Sequence, residues 1–254
     1  MRSHSQVVTE QFGNTAAAYL TSAVHAQGRD LEELAQIAGA IGHAKVLDLG
    51  CGGGHAAFAV APVVDSVVAY DLSAQMLDVV AASAATRGLG NLSVQQGSAD
   101  CLPFDDDSFD LVCSRYSAHH WRGLPQALTE ALRVLKPGGR LVIIDTAAPD
   151  DVLADTYVQA IELLRDPSHV RNVSPGSWRK LLGRAGFAVT ADKNWKLRLE
   201  FGSWVARMRT PETNIAAIHS LWDSAPAEVR ACFALEADHS FAIDVVMLQA
   251  LKLG

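Results

Sequence analysis

The chain has 254 residues, 49% of them hydrophobic, enough to bury the core of one α/β domain with insertions. Its net charge of −7, with lysines and arginines scattered rather than gathered into a stripe, repels a phosphate backbone and argues against nucleic acid as a partner. Residues 1–12, MRSHSQVVTEQF, lack the apolar core of a signal peptide, and no uncharged apolar run approaches the roughly 20 residues that cross a bilayer, so a soluble, cytoplasmic protein without membrane contact is expected, as a monomer or homodimer.

Residues 10–41 read as helical. From Asp30, with Glu33 as its capping pair, the second half sets Leu31, Leu34, Ala35, Ala38 and Ile41 on one stripe. AKVLDL (44–49) predicts a short buried strand, a glycine cluster breaks it, and HAAFAVAP (55–62) resumes as helix. SVVAY (66–70) is a second strand, after which Ser73 caps a helix bearing Met76, Leu77, Val80, Ala81 and Ala84 that closes near Gly88 and Gly90. NLSVQQ (91–96), FDLVCSRY (109–116) and GRLVIID (139–145) continue as strands, with a helix over 124–135. Strands and helices alternating at these intervals imply right-handed crossovers and a parallel sheet covered on both faces. Past Asp145 a helix at about 151–165 ends before Pro167, and Ser174-Pro175 starts another that stops near Gly186. Two late strands, 187–201 and 240–252, flank a helical insert containing Trp204 and Trp222.

Cys51, Cys101, Cys113 and Cys232 are widely spaced without a C-x-x-C pair, so reduced, mostly buried thiols are expected rather than a zinc knuckle or disulfide framework. FDDDSFD (104–110) lacks the alternation and closing glutamate of an oxygen-ligand loop. It reads as a solvated acidic turn, and no metal is called for.

Chemistry enters at VLDLGCGGGH, Val46 to His55, where a strand runs into glycines and then a helix. Such a junction lets backbone approach a ligand closely and points helix amides into the crevice. A dinucleotide fingerprint from Gly50 would need glycine where His55 stands, whereas Gly50, Gly52 and Gly54 satisfy G-x-G-x-G. Asp71 ends the second strand 23 residues after Asp48, where a carboxylate accepts from ribose hydroxyls in nucleoside sites of more than one kind.

The segment GSADCLPFDDDSFDLVCSRYSAHHW (97–121), together with VLDLGCGGG, YDLSAQML and LRVLKPGGRLVI, resembles class I methyltransferases that use S-adenosylmethionine (SAM), of the ubiquinone/menaquinone-biosynthesis (UbiE-like) type. The resemblance covers about 44–146. It implies an α/β, Rossmann-like sheet of seven strands, mostly parallel with an antiparallel last strand and helices on both faces. It also implies that residues 1–43 form a helical lid and 44–254 the catalytic domain, with inserts at about 147–175 and 202–238 over the substrate pocket.

Carried over by position, the resemblance sets Gly50, Cys51 and Gly52 against the methionine part and ribose of SAM, with Asp48 orienting the turn. Asp71 matches the ribose-binding acid, Leu72 and Met76 flank the adenine, and Ala99 and Asp100 read its edge. Arg115 stands where the family contacts the methionine portion, and the lid would bring Tyr19, His25 or Gly28 near the cofactor. Beyond the core, the RDPSHVR run, Arg165 to Arg171, and the SAHH segment resemble those of a subgroup for which the resemblance names no acceptor.

Methyl transfer from a sulfonium is an in-line displacement that leaves S-adenosyl-L-homocysteine (SAH), so the protein chiefly holds acceptor, methyl and sulfur collinear in a dry pocket. Where the acceptor must lose a proton, His119, His120 and His169 are the candidate bases. Adjacent His119 and His120 are expected to diverge, and for each a structural hydrogen bond or SAM contact is the competing role. Arg165, Asp166 and Arg171 are candidates to orient a polar small-molecule acceptor, against a salt-bridged helix end. Trp178, Trp195, Trp204 and Trp222 read as core before pocket wall. Two rival functions share the sequence features: an NAD-dependent oxidoreductase and a non-catalytic SAM-binding module.

Overall fold

In the first strand, β1 (Lys45–Leu49), Val46 packs into one apolar cluster and Leu47 and Leu49 into another, because successive side chains of a strand point to opposite faces. The computed structural model, which describes residues 2–13 and 28–253, repeats this division along the later central strands. Val142 and Ile144 share the face of Val46, and Leu141 and Ile143 share that of Leu47. A strand apolar on both faces must be covered twice, and it is.

The first face is covered by α2 (Arg29–Gly39), α3 (His55–Val60) and α4 (Ala74–Thr86), and the second by α5 (Leu124–Val134) and α7 (Pro175–Ala185). With β2 (Ser66–Asp71), β3 (Leu92–Gln96), β4 (Phe109–Arg115), β5 (Leu135–Ala147), β6 (Phe187–Leu199) and β7 (Phe241–Lys252), the seven-stranded sheet runs β3-β2-β1-β4-β5-β7-β6. Neighbours from β3 to β5 pair in parallel, and β7 lies antiparallel to both β5 and β6. This is the expected Rossmann-like α/β class. A third cluster joins α6 (Val152–Arg165), α8 (Phe201–Arg207), α9 (Glu212–Asp223) and α10 (Ala227–Cys232) around Phe241 and Ile243.

Several expectations need correcting. The helix expected over 10–41 appears as α1 (His4–Gly13) and α2, with 14–27 outside the described residues. Asp30 does not cap α2, which has Gly28 at that position. Its carboxylate instead accepts from Arg115 Nε at 2.5 Å, and Glu33 accepts from Lys193 Nζ at 2.6 Å, since charged donors offer stronger hydrogen bonds than an exposed amide. In the stripe, Ile37 is buried where Ala35 was expected to be. β5 begins four residues early, its register against β4 shifting between Phe109 and Leu111. Ser73 and Ser174 do cap α4 and α7, accepting from Met76 N and Ser177 N.

All four thiols are free, but only Cys51 and Cys113 are buried, while Cys101 is exposed. The acidic turn is ion-paired as well as solvated, Asp106, Asp107 and Asp110 meeting Arg133, Lys252 and Lys136. Among the described residues no helix is long and apolar enough to cross a membrane, and no cluster of histidine, cysteine and acidic side chains could hold a metal ion.

Candidate active site

Strand order reverses direction between β1 and β4, so the crossovers leave a crevice at the carboxyl ends of these strands. Asp48 of β1, Asp71 of β2 and Arg115 of β4 all line it. In the glycine turn after β1, the Gly50 and Cys51 amides donate to Tyr70 O at 2.8 and 3.0 Å, and the Gly52 amide donates to Asp71 Oδ2 at 2.8 Å. Gly50 and Gly52 have φ of +73° and +48°, which glycine adopts without a Cβ clash. A Cβ on Gly50 would come within 2.9 Å of Ser117 Cβ, whereas one on Gly52 would meet nothing within 4 Å. Gly52 thus borders open cleft.

The other Asp71 oxygen accepts from Ser73 N at 2.9 Å, so two amides orient this carboxylate, and burial raises its pKa. Asp48 Oδ2 accepts from Ala57 N at 2.9 Å, while its Oδ1 is buried without a hydrogen-bond partner among the described residues. Burial, reinforced by the charge of Asp71, pushes the Asp48 carboxyl up to about 7. Leu72, Met76, Ala99 and Asp100 form the next stretch of wall, Asp100 Oδ1 accepting from Ser98 Oγ at 2.5 Å.

Arg115 borders the cleft with its guanidinium engaged by Asp30 and set 4.6 Å over the Tyr116 ring. Gly28 lies beside that guanidinium, 3.6 Å from where its Cβ would be, rather than on the cleft wall. Tyr19 and His25 fall outside the described residues.

The far end of the cleft is histidine-rich. His119 and His120 sit on a 3-10 turn, Ala118–His120, that brings their rings to 4.1 Å rather than letting them diverge. A 3-10 turn sets successive side chains about 120° apart rather than opposite, so both rings stay on the cleft side. Their Nδ1 atoms nonetheless face different partners: Asp145 Oδ1 at 2.6 Å for His119, and Ser168 O at 3.1 Å for His120. His169 arrives from the loop after α6, its ring 5.9 Å from His119, with Nε2 2.9 Å from Gln159 Oε1. That loop is folded by Asp166, whose Oδ1 accepts from Ser168 N and Oγ at 2.8 and 2.6 Å. Arg165 donates to Trp204 O at 3.0 Å and to Glu162 Oε2 at 3.1 Å.

Arg165, Asp166 and all three histidines line the cleft. Arg171 is not on the wall: it pairs with Asp155 and is more than half exposed. Trp178, Trp204 and Trp222 are buried and Trp195 partly so; of these four, Trp204 alone reaches the wall.

Helix α1 closes one side with His4, Ser5, Val8 and Phe12. His4 Nε2 lies 3.1 Å from Ser168 O, Gln11 Nε2 donates to Met208 O at 3.0 Å, and Phe12 sets its edge against His120. Asp145, Asp30, Gln159 and the α1 residues were absent from the sequence-derived set. Asp145 gave a usable signal, as an acid near the carboxyl end of a central strand like Asp48 and Asp71. The α1 residues gave none, since their docking is long-range.

A family model described as a methyltransferase domain matches residues 47–143. The YafE protein of Escherichia coli (strain K12) is 50% identical over 199 residues, covering 78% of this chain and 96% of that protein. The methyltransferase YcgJ of Bacillus subtilis (strain 168) is 34% identical over 246 residues, covering 95% and 97%. The YcgJ crystal structure superposes with a TM-score of 0.82 at 33% identity, over 88% of this chain and 99% of that one. A demethylmenaquinone methyltransferase of Lactococcus lactis subsp. lactis (strain IL1403) is 36% identical over 133 residues, covering 51% and 50%. Likeness to the quinone type therefore spans about half the chain, whereas likeness to YcgJ spans nearly all of it.

Proposed function

This chain belongs to the class I methyltransferase family, and from that premise we propose that it transfers the methyl group of SAM to a small-molecule acceptor held in the same cleft. The observation on which the reading turns is Asp48 Oδ1, a buried acceptor on the wall of the glycine-turn crevice with no partner among the described residues. An orphaned buried carboxylate oxygen calls for a donor, and SAM brings hydroxyl and ammonium donors of the kind required. The open space beside Gly52 and the preset carboxylate of Asp71 fit the same molecule.

In this reading the turn 50–52 and Asp71 hold ribose and methionine parts, and Leu72, Met76, Ala99 and Asp100 hold adenine. Bound there, SAM supplies an electrophilic methyl group on a sulfonium. The chain's own task is to fix the acceptor in line and exclude water. Residues 1–43 act as the lid, and the inserts at about 147–175 and 202–238 bring Arg165, Asp166, His169 and Trp204 to the acceptor. The matches to quinone methyltransferases over half the chain make a UbiE-like subgroup the narrower form of the proposal.

Calorimetric titration with SAH and with NADH separates the rivals. SAH is expected to bind and NADH not to, and NADH binding alone would favour the oxidoreductase. A donor arriving at Asp48 Oδ1 favours the ionised carboxylate, so SAH affinity is expected to rise as pH rises through about 7. An affinity independent of pH there would remove Asp48 from the contact.

A further inference from the structure

We propose that His119 is the proton acceptor of the reaction and that the molecule methylated is a weakly acidic hydroxyl compound of phenol or enol type, with Asp145 as the residue that positions His119. The inference rests on the methyl-transfer reading above. Its foundation is how differently the three cleft histidines are held.

Asp145 is buried near the carboxyl end of β5, and backbone amides engage both its oxygens: Thr146 N donates to Oδ1 at 2.8 Å and His119 N donates to Oδ2 at 3.0 Å. The carboxylate is fixed, and 2.6 Å from it stands His119 Nδ1. Nδ1 must therefore bear the hydrogen, which leaves the lone pair on Nε2. Among the described residues Nε2 makes no hydrogen bond, and the His119 side chain keeps 16% of its surface exposed on the cleft wall.

The other two are committed to hydrogen bonds with neutral acceptors. His120 Nδ1 faces the Ser168 carbonyl. His169 Nε2 faces Gln159 Oε1, an oxygen that also accepts from Asn172 N and so is fixed as an acceptor. Among the described residues neither ring is hydrogen-bonded to a carboxylate, and for His120 the more distant charges of Asp166 and Asp145 do not offset burial.

The groups facing His119 are Asp145 from β5, Glu162 from α6, Asp166 and His169 from the loop after it, and His120 alongside, with Tyr116, just past β4, near Asp145. Burial works against its cation, but Asp145, then Glu162 and Asp166, outweigh it and raise the pKa. Burial, then the His119 charge, pushes His120 down to about 3 and His169 to about 2. Of the three imidazoles, His119 is the one whose surroundings favour taking up a proton.

Such a base serves an acceptor that must lose a proton to become nucleophilic. A neutral amine is already nucleophilic, whereas a hydroxyl is a weak nucleophile until it loses its proton. The walls of the same cleft include Phe12, Trp121, Leu199 and Trp204, with Phe12 set against His120, and suit a flat unsaturated body, which is also what makes a hydroxyl acidic enough for imidazole. The acceptor O–H bond breaks and its proton passes to Nε2. The oxygen pair forms the new O–C bond while the methyl–sulfur bond breaks, leaving neutral SAH, and the imidazolium then returns its proton to water.

The test uses the whole protein in two arms. First, 15N NMR of the imidazoles without cofactor is expected to show His119 as the Nδ1–H tautomer, titrating above the usual imidazole range and falling below it in Asp145→Asn. Second, methyl-labelled SAM is offered with a panel of catechols, simple phenols, aliphatic amines and the ultrafiltrate of a bacterial extract, with SAH titration as the control for folding and cofactor binding. Expected are labelled methyl ethers, a loss of kcat on the order of 100-fold or more in His119→Gln with SAH binding kept, and partial rescue of Asp145→Asn by Asp145→Glu instead. In Asp145→Asn the acid limb of kcat should move to lower pH. Labelled amines, or a His119→Gln variant as active as the parent, would overturn this inference and leave methyl transfer standing. No label transferred despite SAH binding would overturn methyl transfer itself, and this inference with it.

Discussion

Replacing Asp30 by alanine is expected to destabilise the fold by about 3–5 kcal/mol, the cost of removing one partner of a buried ion pair. Asp30 and Arg115 expose only 7% and 5% of their side chains, so water screens the pair poorly. The Arg115 guanidinium would keep its desolvation cost and lose the carboxylate bound at its Nε. The pair also ties the first turn of α2 to the end of β4, so the loss should be read both as a lower denaturation midpoint and as faster hydrogen exchange in α2. A change below about 1 kcal/mol, the ordinary worth of an exposed pair, would mean that the pair is solvated in solution.

Asp71→Ala is expected to weaken SAH binding by about 1.5–3 kcal/mol, the range for a hydrogen bond to a charged group. The same change strips the Gly52 and Ser73 amides of their acceptor, so the turn itself loosens. Asp71→Asn separates the two effects: its remaining oxygen can still serve an amide, and the loss should be smaller. Because burial raises the Asp71 pKa, SAH affinity should begin to fall on acidification at a pH above the usual carboxylate range, as the acceptor becomes protonated. Calorimetry across pH measures both. An unchanged affinity in Asp71→Ala would take this residue out of the site.

The sheet was legible because its signals are local. Period-two burial, glycine punctuation and serine caps at Ser73 and Ser174 fix β1 to β5 and the helices between them within a few residues. That Gly50, Gly52, Asp48, Asp71 and Asp100 line one cleft was legible for the same reason: they lie at or just past strand ends, and strand ends share one edge. What escaped depends on contacts between distant segments. Asp30 reads locally as a helix cap, yet its partner is 85 residues away. Arg171 sits in a run that reaches the cleft, yet Asp155 one helix face away draws it out. The pairing of His119 with Asp145 could not be read from either segment, since it needs the 3-10 turn after β4 to fold back over the end of β5.

An adenosine sulfonium seated in the crevice where β1 meets its glycines is what the proposed function requires. A crystal structure grown with SAH tests it most directly. Expected there are ribose hydroxyls on Asp71, adenine beside Ala99 and Asp100, a donor on Asp48 Oδ1, and the sulfur turned toward the His119 end. A saturated crystal with that crevice empty, or with SAH bound elsewhere on the molecule, would contradict it.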